Sequence, residues 1–316
     1  MPVALSREEL LRVAAVLAVA VSTVLATQLT KGAQTGLNAP LFVMIVHTGM
    51  MSICWIPAKV LAREQPVAAS KEDVFLLLPT WLASNYCFVA ALGRAPAGLV
   101  QTLFGTAPAM VACLSVIFLK EPCTPARCGA VCLAFLGTFA VSSRGWQIMA
   151  WKGGDSTALG IAFALCAVVA AATYKVTFKC RFREPSIHCV LGCLASLGSV
   201  AGVLGLPAAV ALTLLGVEDE WWNSSKHVRW SLVLSSGLVD VVYNTAIAWG
   251  LALASPTLIA MGVILGIPLN LLIDAVCNHE LPGSWEACGA IMITVSFAML
   301  SWRQPLDHGS DVSSAQ

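Results

Sequence analysis

LKEPCTPARCGAVCLAFLGTFAV, residues 119–141, has a counterpart in CNHELPGSWEACGAIMITVSFAML, residues 277–300. Each segment runs from an acid (Glu121, Glu280) past a nearby proline to a Cys-Gly pair that opens an apolar stretch. Other landmarks keep nearly the same offset. The step from Asn85 to Asn244 equals the step from Glu121 to Glu280, and the steps from Pro108 to Pro268 and from Gly129 to Gly289 are each longer by a single position. Identity between the halves is weak, yet the register is steady, so the chain reads as one unit written twice.

The unit is made of membrane spans. Of the 316 residues, 58% are hydrophobic and 11% are charged, and the mean hydropathy is +0.81; an ordinary soluble domain is far more polar. A span needs about 20 apolar residues. Ten runs satisfy this, at 10–30, 39–61, 73–92, 97–119, 127–143, 156–176, 188–214, 229–252, 255–276 and 286–302. The expected fold is an all-α membrane protein of ten transmembrane helices. It divides into a first five-helix repeat at 10–143, a second at 156–302 and a cytoplasmic tail at 303–316. Five spans per copy forces the second copy to enter the membrane upside down, which is the inverted repeat of secondary transporters. The first run is read as a span and not as a cleaved leader, because without it the first repeat would be one helix short.

Basic residues mark the cytoplasmic side of a membrane protein. The 18 Lys and Arg divide two to one in favour of the side that holds both termini, so both are expected in the cytoplasm. The sequon at Asn223 falls on the opposite side, where a glycan can be attached. Which membrane holds the chain is not legible. A net charge of +1 gives no reason to expect nucleic acid. The 12 cysteines lack zinc-ligand spacing and read as packing residues, and no metal or cofactor is expected. There is no HExxH or HxxxH spacing and no phosphate-binding loop, which argues against an enzyme and against ATP as the energy source.

Polar residues inside the runs are the candidate site. Asp240 lies near the middle of its run, too deep to reach the surface. A carboxylate there must be paired, protonated or facing water. Tyr243 and Asn244 follow at i+3 and i+4 on the same face, and the corresponding face of the third run carries Trp81, Asn85 and Tyr86. A carboxylate with aromatic faces suits a flat organic cation; proton coupling and a structural ion pair are the other uses of such an acid. Lys175 and Lys179 share a face of the sixth run. Both could snorkel to lipid headgroups, or Lys175 could reach inward to an anionic or phosphorylated solute. His47 could pair with Asp240, relay protons or bond a neighbouring backbone. Gln101 and Asn270 suit either substrate contact or interhelical bonding. Pro108 and Pro268, at matching depths in the fourth and ninth runs, are expected to interrupt their helices and gate or line the site.

These residues resemble a known family. The two five-helix units, the LKE turn at 119–121 and its echo HEL at 279–281 are similar to the EamA-type repeats of the drug/metabolite transporter superfamily. TYKVTFK at 173–179, Asn85-Tyr86, Tyr243-Asn244 and the Pro268, Asn270 and Asp274 pattern resemble the F branch of solute carrier family 35. That resemblance implies a ten-helix secondary transporter embedded in the lipid bilayer, moving a small solute with a coupling proton or a counter-substrate. Some members of the branch are proposed thiamine transporters, and wider relatives exchange nucleotide sugars. Two positions depart from the branch: Ala107-Pro108 stand where members carry an Asn-Lys pair, and Asp240 stands where they carry an apolar residue. The expected cargo is thus thiamine or a similar organic cation. A nucleotide sugar or phosphorylated metabolite is the alternative, and a transport-inactive membrane scaffold is a third reading.

Overall fold

The computed structural model describes residues 7–302 except 36, 63–69, 96, 122, 142–154, 183–185, 223–227 and 278–281. The described residues form helices joined by short turns, with no strand among them. The helices are α1 Arg7–Gln34, α2 Pro40–Met50, the 3-10 turn η1 Met51–Cys54, α3 Trp55–Ala62, α4 Lys71–Arg94, α5 Ala97–Phe104, α6 Ala107–Phe118 and α7 Pro125–Val141. They continue with α8 Asp155–Arg181, α9 Ile187–Leu214, α10 Trp230–Leu253, α11 Pro256–Ile264, α12 Gly266–Cys277 and α13 Ser284–Trp302. Among the described residues, seven segments are long and apolar enough to cross a membrane: Val13–Gln34, Pro40–Ala62, Lys71–Arg94, Leu99–Phe118, Thr157–Arg181, Ile187–Leu214 and Trp230–Leu253. Pro125–Val141, Pro256–Leu269 and Ser284–Leu300 are shorter apolar helices. Large apolar side chains such as Phe75, Ile117, Val203 and Leu214 stand on the outer surface, as a multi-pass protein solvated by lipid requires.

Helix boundaries recur along the chain. A single offset carries both ends of α4 onto the ends of α10, and the same offset carries both ends of α6 onto the ends of α12. α1 and α8 begin at a somewhat shorter offset. Packing follows the same exchange of partners: α1 lies along α10 as α4 lies along α8, α5 and α6 lie on α8 as α11 and α12 lie on α1, and α7 packs against α13. Ser52 and Ser199 meet hydroxyl to hydroxyl at 3.2 Å where the second and seventh spans touch.

Local chemistry sets the breaks. Ser70 and Ser255 cap α4 and α11, accepting from Asp73 N at 3.1 Å and Leu258 N at 3.3 Å, the usual duty of a serine ahead of a helix. Pro40 and Pro256 lie in the first turns of α2 and α11, where the missing N–H would be unpaired anyway. The same holds at the two prolines expected to kink their helices. The chain breaks ahead of each, at Gly105–Thr106 and at Leu265, so that Pro108 is the second residue of α6 and Pro268 the third of α12. Neither sits within a continuous helix; both start a new one.

The LKE turn ends α6 with Lys120 at φ +54, a left-handed closing residue whose successor's N–H returns to Ser115 O at 3.3 Å. Glu121 then pairs with Arg127 at 2.5 Å. The Arg127 guanidinium also bonds the Thr257 hydroxyl of α11, so the turn after α6 is tied to the start of α11. Arg181 is paired with Asp73 at 2.6 Å. Asn223 and the tail 303–316 lie outside the described residues.

Candidate functional site

A cavity of about 90 Å³, room for several waters, lies between α1, α2, α4, α5, α8, α10, α11 and α12. Phe104 and Gly266, at the two helix breaks, border it. Of the residues singled out from the sequence, Asp240, Tyr243, Asn244, Trp81, Asn85, Gln101, Lys175 and His47 all line this one space.

Four others are not among its described lining residues. Tyr86, expected to share a face with Trp81 and Asn85, lines a separate groove with Leu41, Met44 and Ala208 and meets Phe163 edge-on at 6.2 Å. It follows Asn85 by one position, about 100° around the helix, which turns it off the cavity face. Asn270 belongs to α12, but its side chain lies outside the described residues. Pro108 is buried at the start of α6, and neither it nor Pro268 lines the cavity.

Backbone contacts hold the polar face in place. On α10, the Asn244 amide donates to Asp240 O at 2.9 Å. On α4, the Asn85 amide donates to Trp81 O at 2.8 Å. These are the same i to i−4 contact, made at matching positions of the two helices. Trp81 Nε1 donates to Asn244 Oδ1 across the cavity wall at 3.5 Å, so the two faces are joined. Tyr243 is hydrogen-bonded to Thr23 of α1.

His47 does not reach Asp240. Its Nε2 lies 2.7 Å from Ser236 Oγ, and that hydroxyl is also within hydrogen-bonding distance of Val233 O, at 2.9 Å. Among the described residues Asp240 forms no ion pair, and it is 9% exposed. Lys175 does not snorkel. It is 3% exposed, and its Nζ has no hydrogen-bond partner among the described residues. Lys179, one turn further on, behaves differently: it donates to Leu251 O at 2.8 Å and Ala252 O at 3.5 Å at the end of α10.

A hydroxyl stripe on α1 was not among the expected site residues. Thr23, Thr27 and Thr30 line the cavity at i, i+4 and i+7, a helical spacing that could have been read from the first run. Ser84 and Tyr174 were missed as well.

Fold and site together define a multi-pass membrane protein with a charged cavity between helices that recur along the chain. Residues 7–143 match the EamA-like transporter family, and the resemblance to the drug/metabolite transporter superfamily and to the F branch of solute carrier family 35 holds. Solute carrier family 35 member F3 of Mus musculus and of Homo sapiens are each 25% identical over 224 residues, 70% of this chain and 50% of theirs. The chain spans about half the length of these relatives. A crystal structure that is 17% identical superposes with a TM-score of 0.69 over 95% of this chain and 98% of its own, so the fold is shared well beyond the level of sequence.

Proposed function

We propose that the chain is a secondary transporter of a small organic solute, working by alternating access around the cavity. In this reading residues 10–143 and 156–302 are two five-helix units of opposite orientation, ten spans in all, with both termini and the tail 303–316 in the cytoplasm. The recurring boundaries and the exchange of packing partners support it. So do the paired helix breaks beside the cavity, since interrupted helices at matching positions are where such proteins bind and gate. Pro108 and Pro268 hold those breaks open. Energy comes from a coupling proton or a counter-substrate.

For the cargo, the observation that carries most weight is Asp240, a carboxylate without an ion-pair partner among the described residues, in a cavity walled by Trp81, Tyr243 and Tyr174. This favours thiamine or a similar organic cation, held by charge and by aromatic faces. Gln101, Asn85 and Asn244 supply hydrogen bonds. A second reading, a nucleotide sugar or other phosphorylated metabolite, is favoured by the unpartnered amine of Lys175. The test is uptake of labelled thiamine into liposomes containing the purified protein, wild type beside Asp240→Asn, with nucleotide sugars as competitors. Thiamine uptake lost in the variant is the expected result. Nucleotide-sugar flux indifferent to Asp240 overturns the cation reading, and no flux of any solute from folded protein supports a scaffold.

A further inference from the structure

We propose that the cavity takes a solute carrying a cationic and an anionic group together, the first facing Asp240 and the second facing Lys175. The inference rests on the transport reading and names the substrate class of the same site.

Charge inventory is the starting point. Apart from the imidazole of His47, Lys175 and Asp240 are the only ionisable cation and carboxylate among the described residues lining the cavity. They stand on neighbouring helices, α8 and α10, both buried, yet no ion pair within 4 Å joins them. Burying one ion is costly, and burying two of opposite sign without pairing them forgoes the obvious remedy. A purely structural role would bring them together, or would give the amine carbonyl acceptors as Lys179 has.

The other half of the chain shows that the scaffold does not require these charges. At the offset between the starts of α1 and α8, Lys175 corresponds to Thr27; at the offset between α4 and α10, Asp240 corresponds to Trp81. Thr27 and Trp81 line the same cavity and are buried and neutral. One helix pair therefore packs around the cavity without ions, while its counterpart carries two.

Neither single-charge cargo accounts for both groups. A bare cation answers Asp240 and is repelled by Lys175. A phosphorylated anion answers Lys175 and faces Asp240. A zwitterion answers both, and leaves a site that is neutral in net charge occupied by a cargo that is neutral in net charge. Trp81 and the α1 hydroxyls of Thr23, Thr27 and Thr30 then contact the body of the molecule.

The test is ligand-induced thermal stabilisation of the purified full chain in detergent, with two probe series that vary charge on a fixed ring system. The first is tryptophan, tryptamine and indole-3-propionate. The second is thiamine monophosphate beside thiamine. At least one doubly charged member, tryptophan or thiamine monophosphate, is expected to bind, with its singly charged analogues roughly tenfold or more weaker, the effect of losing one charge-assisted contact. Asp240→Asn and Lys175→Thr each remove that preference, and Lys175→Thr copies the residue the other half carries, so it preserves a packing the fold already tolerates. The proposal is overturned if a singly charged analogue binds as tightly as its parent, if either variant leaves binding unchanged, or if neither doubly charged probe binds. Counterflow in liposomes separates this failure from failure of transport: binding without flux removes the transporter reading alone, and thiamine flux indifferent to Lys175→Thr removes the zwitterion alone.

Discussion

The α1–α4 face of the cavity and the α8–α10 face are built to the same plan and carry different chemistry. Their shared parts are structural. Lys31 of α1 donates to Leu92 O at 2.5 Å and Ala95 O at 3.2 Å at the end of α4, as Lys179 of α8 donates to Leu251 O and Ala252 O at the end of α10. The two lysines stand at the same offset as the starts of their helices. Each places a cation on the carbonyls that a helix leaves unpaired at its C-terminus. Asn85 and Asn244 repeat their backbone contact in the same way. What differs is the pair of positions one turn away or on the neighbouring face, Thr27 and Trp81 on one side and Lys175 and Asp240 on the other. Lys31 and Lys179 have carbonyl partners, whereas Lys175 has no hydrogen-bond partner among the described residues.

The largest consequence of that distinction lies at Asp240. Converting it to Asn keeps the shape and removes the charge, and uptake is expected to fall by about 100-fold, since losing one partner of a buried charged contact costs on the order of 2–5 kcal/mol. Trp81→Phe, at the matching position, is expected to cost uptake about tenfold or less. Equal losses at the two positions, measured as initial rates in liposomes, would show that the halves share the chemistry after all.

The α7–α13 contact probes whether both halves depend on the same close packing. A Cβ at Gly137 would stand 2.7 Å from Gly289 O, and one at Gly289 would collide with Gly137 O. Gly137→Leu and Gly289→Leu are expected to destabilise to a similar degree, by about 1–3 kcal/mol for overpacking, read as lowered melting temperatures in detergent. A large loss at one glycine and none at the other would mean that this contact is not shared evenly.

The lysines provide a test of opposite signs. Lys31→Met and Lys179→Met each leave helix-end carbonyls unpaired and are expected to lose about 1–2 kcal/mol of stability. Lys175→Met removes an unpartnered buried cation, so without ligand its melting temperature is expected to hold or rise, while uptake is lost. Destabilisation by Lys175→Met to the extent seen for Lys179→Met would assign Lys175 to the scaffold.

Much of this plan could be read from the chain. The apolar runs located the helices, and the spacing of Asn85 with Asn244 and of Pro108 with Pro268 anticipated the recurrence of α4 with α10 and of the paired breaks. The spacing of α1 with α8 escaped, because every landmark used came from the third to fifth runs. The segment between α9 and α10, residues 215–229, is longer than that between α3 and α4, residues 63–70, and α9 is itself longer than the span Pro40–Ala62. These insertions put the earlier helices in a different register from the later ones. Lys31 and Lys179 therefore could not be matched, and nothing in the sequence chose between a headgroup anchor and an inward-facing amine at Lys175. Tyr86 was misplaced by one residue's turn. The partner of His47 was not legible, since Ser236 lies in the other half of the chain.

The smallest expected effect comes from the segment after α9, where the halves differ outside the spans. The Glu218 carboxylate accepts from Leu41 N at 2.8 Å and Phe42 N at 3.4 Å, and Asp219 Oδ2 accepts from Asn38 N at 2.7 Å. Leu41 and Phe42 supply the first free amides of α2, whose own capping residue, Ala39, supplies no side-chain bond, so the loop after α9 caps a helix of the other half. Burial raises the pKa of Glu218 above the ordinary glutamate value, and the amide bonds and the Arg94 charge only partly oppose that rise. A raised carboxyl pKa means that the folded chain takes up its proton before the unfolded chain does. The stability this contributes is complete below the ordinary value and is lost as pH rises through the raised one. Mild acidification from neutral pH should therefore tighten the cap. Glu218→Gln should remove that part of the pH dependence, by on the order of 1 °C in melting temperature between about pH 7 and pH 5. Parallel pH profiles for wild type and Glu218→Gln would place the cap's strength in its amide contacts alone.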